Sequence, residues 1–318
     1  MHQASGRSLY GFVLALTTAV LWGMLPIALK HLLTDLSANT ITWIRFLVAA
    51  LFVSLVLWQH QALPRFAALA GRKFVWLLLI AVSGLLANYI LYLLGLQLLT
   101  AETAQVVIQL APFLMMLGGI FIFREQMLLW QKIGATLLVL GLLLFFNQRL
   151  SSLLTRFDQD TAGVLLVIVA AITWAAYALA QKQLLLRYSS QQIMWFIYVA
   201  GAVCFLPVSE LAPLAELSGL QWGLLAFCCL NTIVAYGAFA EALQHWEASK
   251  VSAVLAITPL LTILFANIVS WLFPAAARAQ ELNAWSVTGA CLVVAGSAIT
   301  ALSPLLKQQL AARRGLGR

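Results

Sequence analysis

The chain has 318 residues, of which 63% are hydrophobic and only 9% are charged, and its mean hydropathy is +0.98. Soluble domains are about 45–50% apolar and about 25% charged, so this composition excludes a water-soluble protein and indicates an integral membrane protein. The formal net charge of +8 would suggest nucleic acid as a partner of a soluble chain. Here the basic residues lie in short gaps between apolar runs, where they set membrane orientation. We therefore predict the lipid bilayer, and no nucleic acid, as a partner.

Apolar runs of transmembrane length follow one another along the whole chain with short connections. They predict an all-α integral membrane protein with ten transmembrane helices. The longest connection, residues 148–161, separates a first unit of residues 1–147 from a second unit of residues 162–305, and a basic tail of residues 306–318 follows. The predicted spans are about residues 10–31, 38–58, 74–97, 101–123, 128–146, 162–186, 191–209, 220–243, 248–273 and 283–303.

The two units repeat rare residues at nearly constant offsets. The matched pairs are Trp22 with Trp174 and Lys30 with Lys182 at 152 residues (174 − 22), Tyr89 with Tyr236, Gln97 with Gln244 and Pro112 with Pro259 at 147 (236 − 89), and Trp130 with Trp285, Gly134 with Gly289 and Gly141 with Gly296 at 155 (285 − 130). Because each unit has an odd number of spans, the second must be inserted upside down relative to the first. We predict two inverted five-helix repeats, an arrangement of secondary transporters that places the substrate near mid-membrane.

The fourth span combines membrane length with residues that are costly in lipid. Gln105, Gln109 and Pro112 recur at steps of three and four, so they lie on one stripe of the helix. A proline inside a helix removes one backbone hydrogen bond and frees a carbonyl, which membrane proteins tolerate beside neighbouring helices or a polar cavity. The pattern predicts a helix that lines a polar path and has a soft point at its proline.

Residues 88–144 resemble the drug/metabolite transporter superfamily in its EamA branch. The residues that carry this resemblance are Tyr92, Gly95, Pro112, Glu125, Gly134 and Gly141, with the segments LWG at 21–23 and IRFLVAAL at 44–51, and Trp174, Pro259, Gly289 and Gly296 in the second unit. The resemblance implies ten helices in two inverted repeats, with helices one to four and six to nine around a central cavity and helices five and ten outside. It also implies export of amino acids and other small metabolites, or transport of sugars, nucleotide sugars and phosphorylated compounds.

Polar and aromatic side chains within the spans are the predicted substrate-binding residues. Amides and phenol groups offer hydrogen-bond donors and acceptors, and a deep tryptophan offers a flat apolar wall. Hydrogen bonding between helices is the alternative for the polar residues, and packing is the alternative for the tryptophans. The predicted residues are Trp22, Asn88, Tyr92, Gln105, Gln109, Pro112, Trp174, Tyr177, Asn231, Tyr236 and Pro259.

Charge placement narrows the substrate. The middle of every predicted span lacks Asp, Glu and His, while Arg45 lies about two turns into span two and Lys30 ends span one. We expect both cations to extend toward water, although they could instead attract an anionic group such as a carboxylate. A phosphate group would need several convergent cations. The prediction is a secondary transporter that exports small neutral or zwitterionic metabolites such as amino acids, with sugars or phosphorylated and nucleotide-sugar solutes as the alternative.

An intramembrane enzyme is the alternative of another class, and it needs a buried nucleophile with a base, paired carboxylates or metal ligands. The sequence has no such pattern, so we predict no catalytic residue, no metal site and no cofactor.

The basic residues also predict the orientation. An inside N-terminus puts thirteen Lys and Arg residues on the cytoplasmic side and four on the outer side, so both termini are predicted to be cytoplasmic, in a multi-pass protein of the inner membrane. Glu125 is predicted to cap a cytoplasmic helix end, with gating as the alternative. Glycines on spans five and ten allow close helix approach, which leaves open packing within the chain or a homodimer through those two helices.

Overall fold

The described part of the chain is helical throughout, with two short 3₁₀ turns in one connection and no β-strand. The computed structural model describes residues 8–64, 71–123, 127–148, 151, 155–245, 248–274 and 280–315, so Glu125 lies outside the described residues. The helices are α1 (Ser8–Leu32), α2 (Ala38–Gln59), α3 (Arg72–Leu98), α4 (Ala101–Val107), α5 (Leu110–Phe123), α6 (Leu129–Phe145), α7 (Gln159–Leu184), α8 (Ser190–Phe205), α9 (Gly219–His245), α10 (Ala248–Leu255), α11 (Thr258–Leu272) and α12 (Ala284–Gly315).

Nine helical stretches of the described chain are long and apolar enough to cross a bilayer, and α6, with 17 residues, is a shorter apolar helix. The prediction of an all-α membrane protein with ten spans is therefore confirmed. Local sequence explains several helix starts, because Ser37, Thr100, Asp158 and Ser189 each accept a hydrogen bond from the backbone N–H three residues later. The last helix continues to Gly315, beyond the predicted end of span ten.

The fourth predicted span is not one regular helix. Residues Ile108 and Gln109 interrupt it between α4 and α5, and Pro112 is the third residue of α5. Pro112 has no backbone N–H that could donate to the Ile108 carbonyl four residues earlier, and this carbonyl accepts instead from the Ala111 N–H at 2.9 Å. The fourth span therefore crosses as one apolar stretch, Ala101–Ile122, whose regular helix is interrupted at Ile108 and Gln109, just before Pro112.

The ninth span is broken in the same way. Residues Ala256 and Ile257 separate α10 from α11, and Pro259 lies in the first turn of α11. Both units therefore contain one discontinuous helix with a proline just after the break. Backbone carbonyls and N–H groups left free at such breaks are available to other groups in the interior.

Helices from the two units alternate in the interior. The helix α3 packs against α7, and its counterpart α9 packs against α1, while α2 packs against α8. The buried cores consequently combine residues of both units, as when Phe46 of α2 packs against Tyr198 of α8 with 5.7 Å between ring centroids. The two units share one interior rather than forming separate domains.

The helices α6 and α12 form a pair of their own beside this interior. A Cβ atom added at Gly141 would lie 2.7 Å from the Gly289 carbonyl oxygen, and one added at Gly296 would lie 2.5 Å from that of Gly134. These glycines therefore let the two helices pack within one chain, which was one of the two alternatives. A homodimer through these helices would have to use their other faces, and it stays a prediction.

Large apolar side chains cover the outside of the bundle. Leu51 is 63% exposed, Ile122 59% and Trp271 81%, as expected where helices face lipid. Lys30, at the end of α1, donates hydrogen bonds from Nζ to the carbonyl oxygens of Leu96 and Gln97 at 2.7 and 2.8 Å. It therefore caps the last turn of α3, where the helix dipole favours a cation.

Candidate functional site

The two helix breaks meet each other inside the bundle. Gln109, at the break between α4 and α5, donates a hydrogen bond from Nε2 to the carbonyl oxygen of Ala256, at the break between α10 and α11, over 3.0 Å. Ala256 follows Gln109 by 147 residues (256 − 109), which is also the offset between the two prolines. The two breaks therefore occupy equivalent positions in the two repeats. The side chain of Gln109 links them by a hydrogen bond across the interface between the units.

Two predicted asparagines link other helix pairs in a matching way. Asn88 of α3 donates to the Ala170 carbonyl oxygen of α7 at 2.9 Å, and Asn231 of α9 donates to the Leu21 carbonyl oxygen of α1 at 2.6 Å. In both cases the amide nitrogen donates to a backbone carbonyl in a helix of the other unit. This is the contact expected from the alternative interpretation, in which the polar residues link helices. The Asn231 Oδ1 atom is enclosed and has no hydrogen-bond partner among the residues that the structure describes.

The polar stripe of α4 also contacts α3. The Tyr92 hydroxyl donates to Gln105 Oε1 over 3.0 Å. Both side chains are half-buried and keep part of their surface accessible. The pair is therefore not fully enclosed by protein, which is compatible with the predicted polar path.

The predicted aromatic residues fall into two groups. Trp22 of α1 packs edge-on against Tyr236 of α9 with 5.4 Å between ring centroids, and Tyr236 follows Thr232 by one helical turn on α9. Trp174 lies beside Tyr177 on α7, 6.3 Å apart. Tyr177 is only 4% exposed, and its hydroxyl donates to the sulfur of Met194 at 3.4 Å.

Pro112 and Pro259 lie in different surroundings. Pro112 is exposed, whereas Pro259 is buried beside Thr258 and Thr262 at the start of α11. Thr262 donates to the Gly23 carbonyl oxygen of α1 at 2.9 Å. The proline positions therefore mark the breaks, while the contacts between the breaks are made by neighbouring residues.

The interior also contains the charged side chain of Arg45, which we had expected at the membrane surface. Arg45 was expected to extend toward water, but its side chain is only 3% exposed. Its Nε donates to the Thr232 hydroxyl of α9 at 3.0 Å, and its guanidinium carbon lies 4.8 Å from the centroid of the Tyr89 ring. The expectation is wrong because α3 and α9 cover this face of α2 and supply polar and aromatic partners.

Arg45 contacts Thr232 and Tyr89, and Tyr236, one helical turn after Thr232 on α9, packs against Trp22. We call this group the Arg45 cluster: Trp22, Arg45, Tyr89, Thr232 and Tyr236. The cluster takes residues from α1, α2, α3 and α9, and therefore from both units. Trp22 and Tyr236 belong to the predicted site and keep accessible surface. Tyr89 and Thr232 were not predicted. Arg45 was considered in the sequence only as the alternative of a cation that attracts an anionic group, although a lone charge inside an apolar run usually marks function.

Comparison with known proteins identifies the family. The model of the EamA-like transporter family matches the chain twice, over residues 9–147 and 161–302. The chain belongs to the EamA-like transporter family. Members of this family are transporters, so the protein is a transporter and not an enzyme.

Relatives of this EamA-like transporter extend over nearly its whole length. An uncharacterized transporter of Haemophilus influenzae is 41% identical over 296 residues, which cover 93% of this chain and 96% of that protein. The uncharacterized inner membrane transporter YhbE of Escherichia coli is 39% identical over 302 residues, 95% of this chain and 93% of that protein. A known crystal structure resembles the fold with a TM-score of 0.64 at 17% identity, over 94% of this chain and 98% of that one.

Proposed function

We propose that this EamA-like transporter exports small neutral or zwitterionic metabolites, with amino acids among them, by alternating access. The observation that carries the proposal is the meeting of the two broken helices through Gln109 and Ala256 at 3.0 Å. In transporters built from repeats, discontinuous helices at the interface between the repeats form the substrate site. Rocking one unit against the other would expose this region to each side of the membrane in turn.

The chemistry of the interior supports small and weakly charged solutes. Tyr92 and Gln105 offer a hydroxyl, an amide and partly accessible surface, and Trp22 and Tyr236 offer apolar faces. Such groups fit polar heads and apolar side chains of metabolites. Lys30 is occupied by two backbone carbonyls, so it does not supplement Arg45 as the second cation that a phosphate group would need.

The test is solute flux in liposomes that contain only the purified protein. Labelled amino acids, nucleobases and sugars are loaded in counterflow, and we expect saturable flux for at least one neutral or zwitterionic solute. The absence of flux for all of these solutes would contradict the proposal. Direction is tested in cells, where overexpression should protect against toxic amino acid analogues if the protein exports.

The variant Gln109→Leu tests whether solute flux depends on the contact between the two helix breaks. Gln109→Leu removes the bond to the Ala256 carbonyl, and a bond of about 1 kcal/mol changes an equilibrium between states roughly fivefold, so we expect flux to fall by about that factor. Gln97→Leu is the matched control, since it makes the same chemical change in a side chain that is exposed at the end of α3. Equal flux in the two variants would remove the contact between the breaks from the mechanism.

A further inference from the structure

Arg45 carries a charge that its own protein does not balance. Burial of a cation without a partner is costly in a membrane interior, so such groups are normally paired. Arg45 is 3% exposed, yet within the part of the chain that the structure describes it forms no ion pair with a carboxylate. Its partners are the neutral Thr232 hydroxyl and the Tyr89 ring.

The two neutral partners hold the guanidinium group in one orientation. Thr232 accepts from Arg45 Nε at 3.0 Å and donates its own proton to the Cys228 carbonyl oxygen at 2.9 Å. This arrangement fixes the hydroxyl as an acceptor toward Arg45. The Tyr89 ring lies 4.8 Å from Arg45 Cζ, close enough for a cation–π interaction. The hydrogen bond uses Nε and the ring contact involves the whole guanidinium group. Neither contact occupies the two terminal nitrogens, which form the outer edge of the group.

The two terminal nitrogens form that outer edge, and they are unpaired within the described part of the chain. The fully enclosed polar atoms without partners in that part of the chain are Thr42 Oγ1, Asn231 Oδ1 and Ser303 Oγ, and no Arg45 atom is among them. The two nitrogens therefore keep a little accessible surface, although the residue as a whole is only 3% exposed, and as a planar fork they match the two oxygens of a carboxylate.

The charge has no counterpart in the second unit. Trp195 of α8 follows Trp43 of α2 by 152 residues (195 − 43), and at the same offset Ile197 occupies the position that corresponds to Arg45 (197 − 45). A structural arginine required by the repeat would be expected in both units. Arg45 instead supplies one positive charge to one side of a site whose other walls are aromatic and neutral.

We propose that Arg45 binds the carboxylate of the transported solute through its two terminal nitrogens, with the faces of Trp22 and Tyr236 beside the solute's apolar part. This inference rests on the proposed function and narrows it to solutes with a single carboxylate, either amino acids or simple monocarboxylic acids. A single guanidinium balances one negative charge, whereas phosphate dianions would require further cations.

Binding is tested with matched probes on the purified full-length protein. Each set keeps one carbon skeleton and changes the head group: leucine, 4-methylpentanoate and 4-methylpentanamide; phenylalanine, 3-phenylpropanoate and 3-phenylpropanamide; and alanine, propanoate and propanamide. We expect at least one carboxylate to raise Tm, while its amide and inorganic phosphate do not. Stabilisation by the amino acid alone assigns the ammonium group a role, and stabilisation by both carboxylates assigns recognition to the carboxylate. If no carboxylate raises Tm, or if the amide does so equally, the proposal is wrong.

Variants at Arg45 separate ligand binding from a structural role. Arg45→Lys keeps the charge but loses the fork, and Arg45→Met removes both. Charge-assisted hydrogen bonds predict a loss of carboxylate affinity of roughly ten- to a hundredfold in Arg45→Met. Because the empty protein no longer buries an unbalanced charge, Arg45→Met should keep or raise the Tm of the ligand-free protein. A lowered ligand-free Tm with unchanged carboxylate binding would identify Arg45 as structural and overturn the proposal.

The control is Arg187→Gln, because Arg187 also lies over an aromatic ring, with its Cζ 4.0 Å from the centroid of Phe74, but is exposed. It should bind the carboxylates as the wild-type protein does. Flux measured on the same preparations distinguishes the two proposals. Carboxylate binding that depends on Arg45 without any flux would contradict the transport mechanism alone, whereas flux that is equal for carboxylates and amides would contradict the role of Arg45 alone.

Discussion

Gly289 lies where the backbones of α6 and α12 approach closely. A Cβ atom added there would come within 2.3 Å of the Phe145 nitrogen and 2.6 Å of the Gly141 carbonyl oxygen. Both obstacles are backbone atoms, so a larger residue must push the helices apart. The glycine therefore sets the distance between the two helices.

Gly289→Ala should consequently lower the stability of the protein by about 1–3 kcal/mol, the usual cost of overpacking. The measurement is the thermal unfolding midpoint of the purified protein in detergent. Gly223→Ala is the matched control, because a Cβ atom there meets nothing within 4 Å and alanine is the better helix former by about 0.5–1 kcal/mol. If Gly289→Ala were as stable as Gly223→Ala, the close approach of α6 and α12 would not limit stability.

Individual side chains differed in how far the sequence could predict them. The glycine pattern of spans five and ten indicated close helix packing, because small residues at regular spacing have few other roles. The burial of Arg45 could not be predicted, since its partner Thr232 lies 187 residues further along the chain. Whether an arginine extends toward water or turns inward depends on the helices that cover its face, and a single sequence does not reveal them.

At the level of whole helices, hydropathy was sufficient for the ten spans but not for their breaks. Length and apolar composition are properties of the segment itself, so membrane spans can be predicted from the sequence. The break at Ile108 and Gln109 depends on a distant acceptor, because Gln109 bonds to the Ala256 carbonyl on another helix. Pro112 signalled an irregularity within one turn of the true position, but it could not distinguish a kinked helix from two helices.

Pro112→Ala restores a backbone N–H near the break between α4 and α5. The new N–H can donate to the carbonyl four residues earlier, that of Ile108, and a bond of about 1 kcal/mol would favour a continuous helix. We expect insertion to remain normal and transport to slow by a factor of about five, measured as initial flux in liposomes. Pro213→Ala is the control, since Pro213 lies in the second 3₁₀ turn, Ala212–Glu216, outside the spans. An unchanged rate in Pro112→Ala would exclude the break as the moving part.

Across the whole molecule, equivalent contacts recur in the two units. The pairing of α3 with α7 matches that of α9 with α1, and Asn88 and Asn231 link these pairs through the same kind of amide-to-carbonyl bond. Matched tryptophans, prolines and glycines indicated such a repeat because these residues rarely coincide by chance in an apolar chain. The sequence could not indicate which surfaces of the units meet, since leucine-rich faces look alike.

The orientation of the whole bundle is a prediction from its surface charge. Basic residues collect at the end that carries the connection after α2, and the 3₁₀ turns between α8 and α9 lie at the opposite end. In a variant whose four native cysteines are replaced by alanine, Glu216→Cys should react with a membrane-impermeant maleimide in intact cells. His60→Cys should react only after the cells are permeabilised. Both side chains replaced are exposed, so access to the reagent rather than burial decides the result, and the reverse labelling pattern would place both termini outside the cytoplasm.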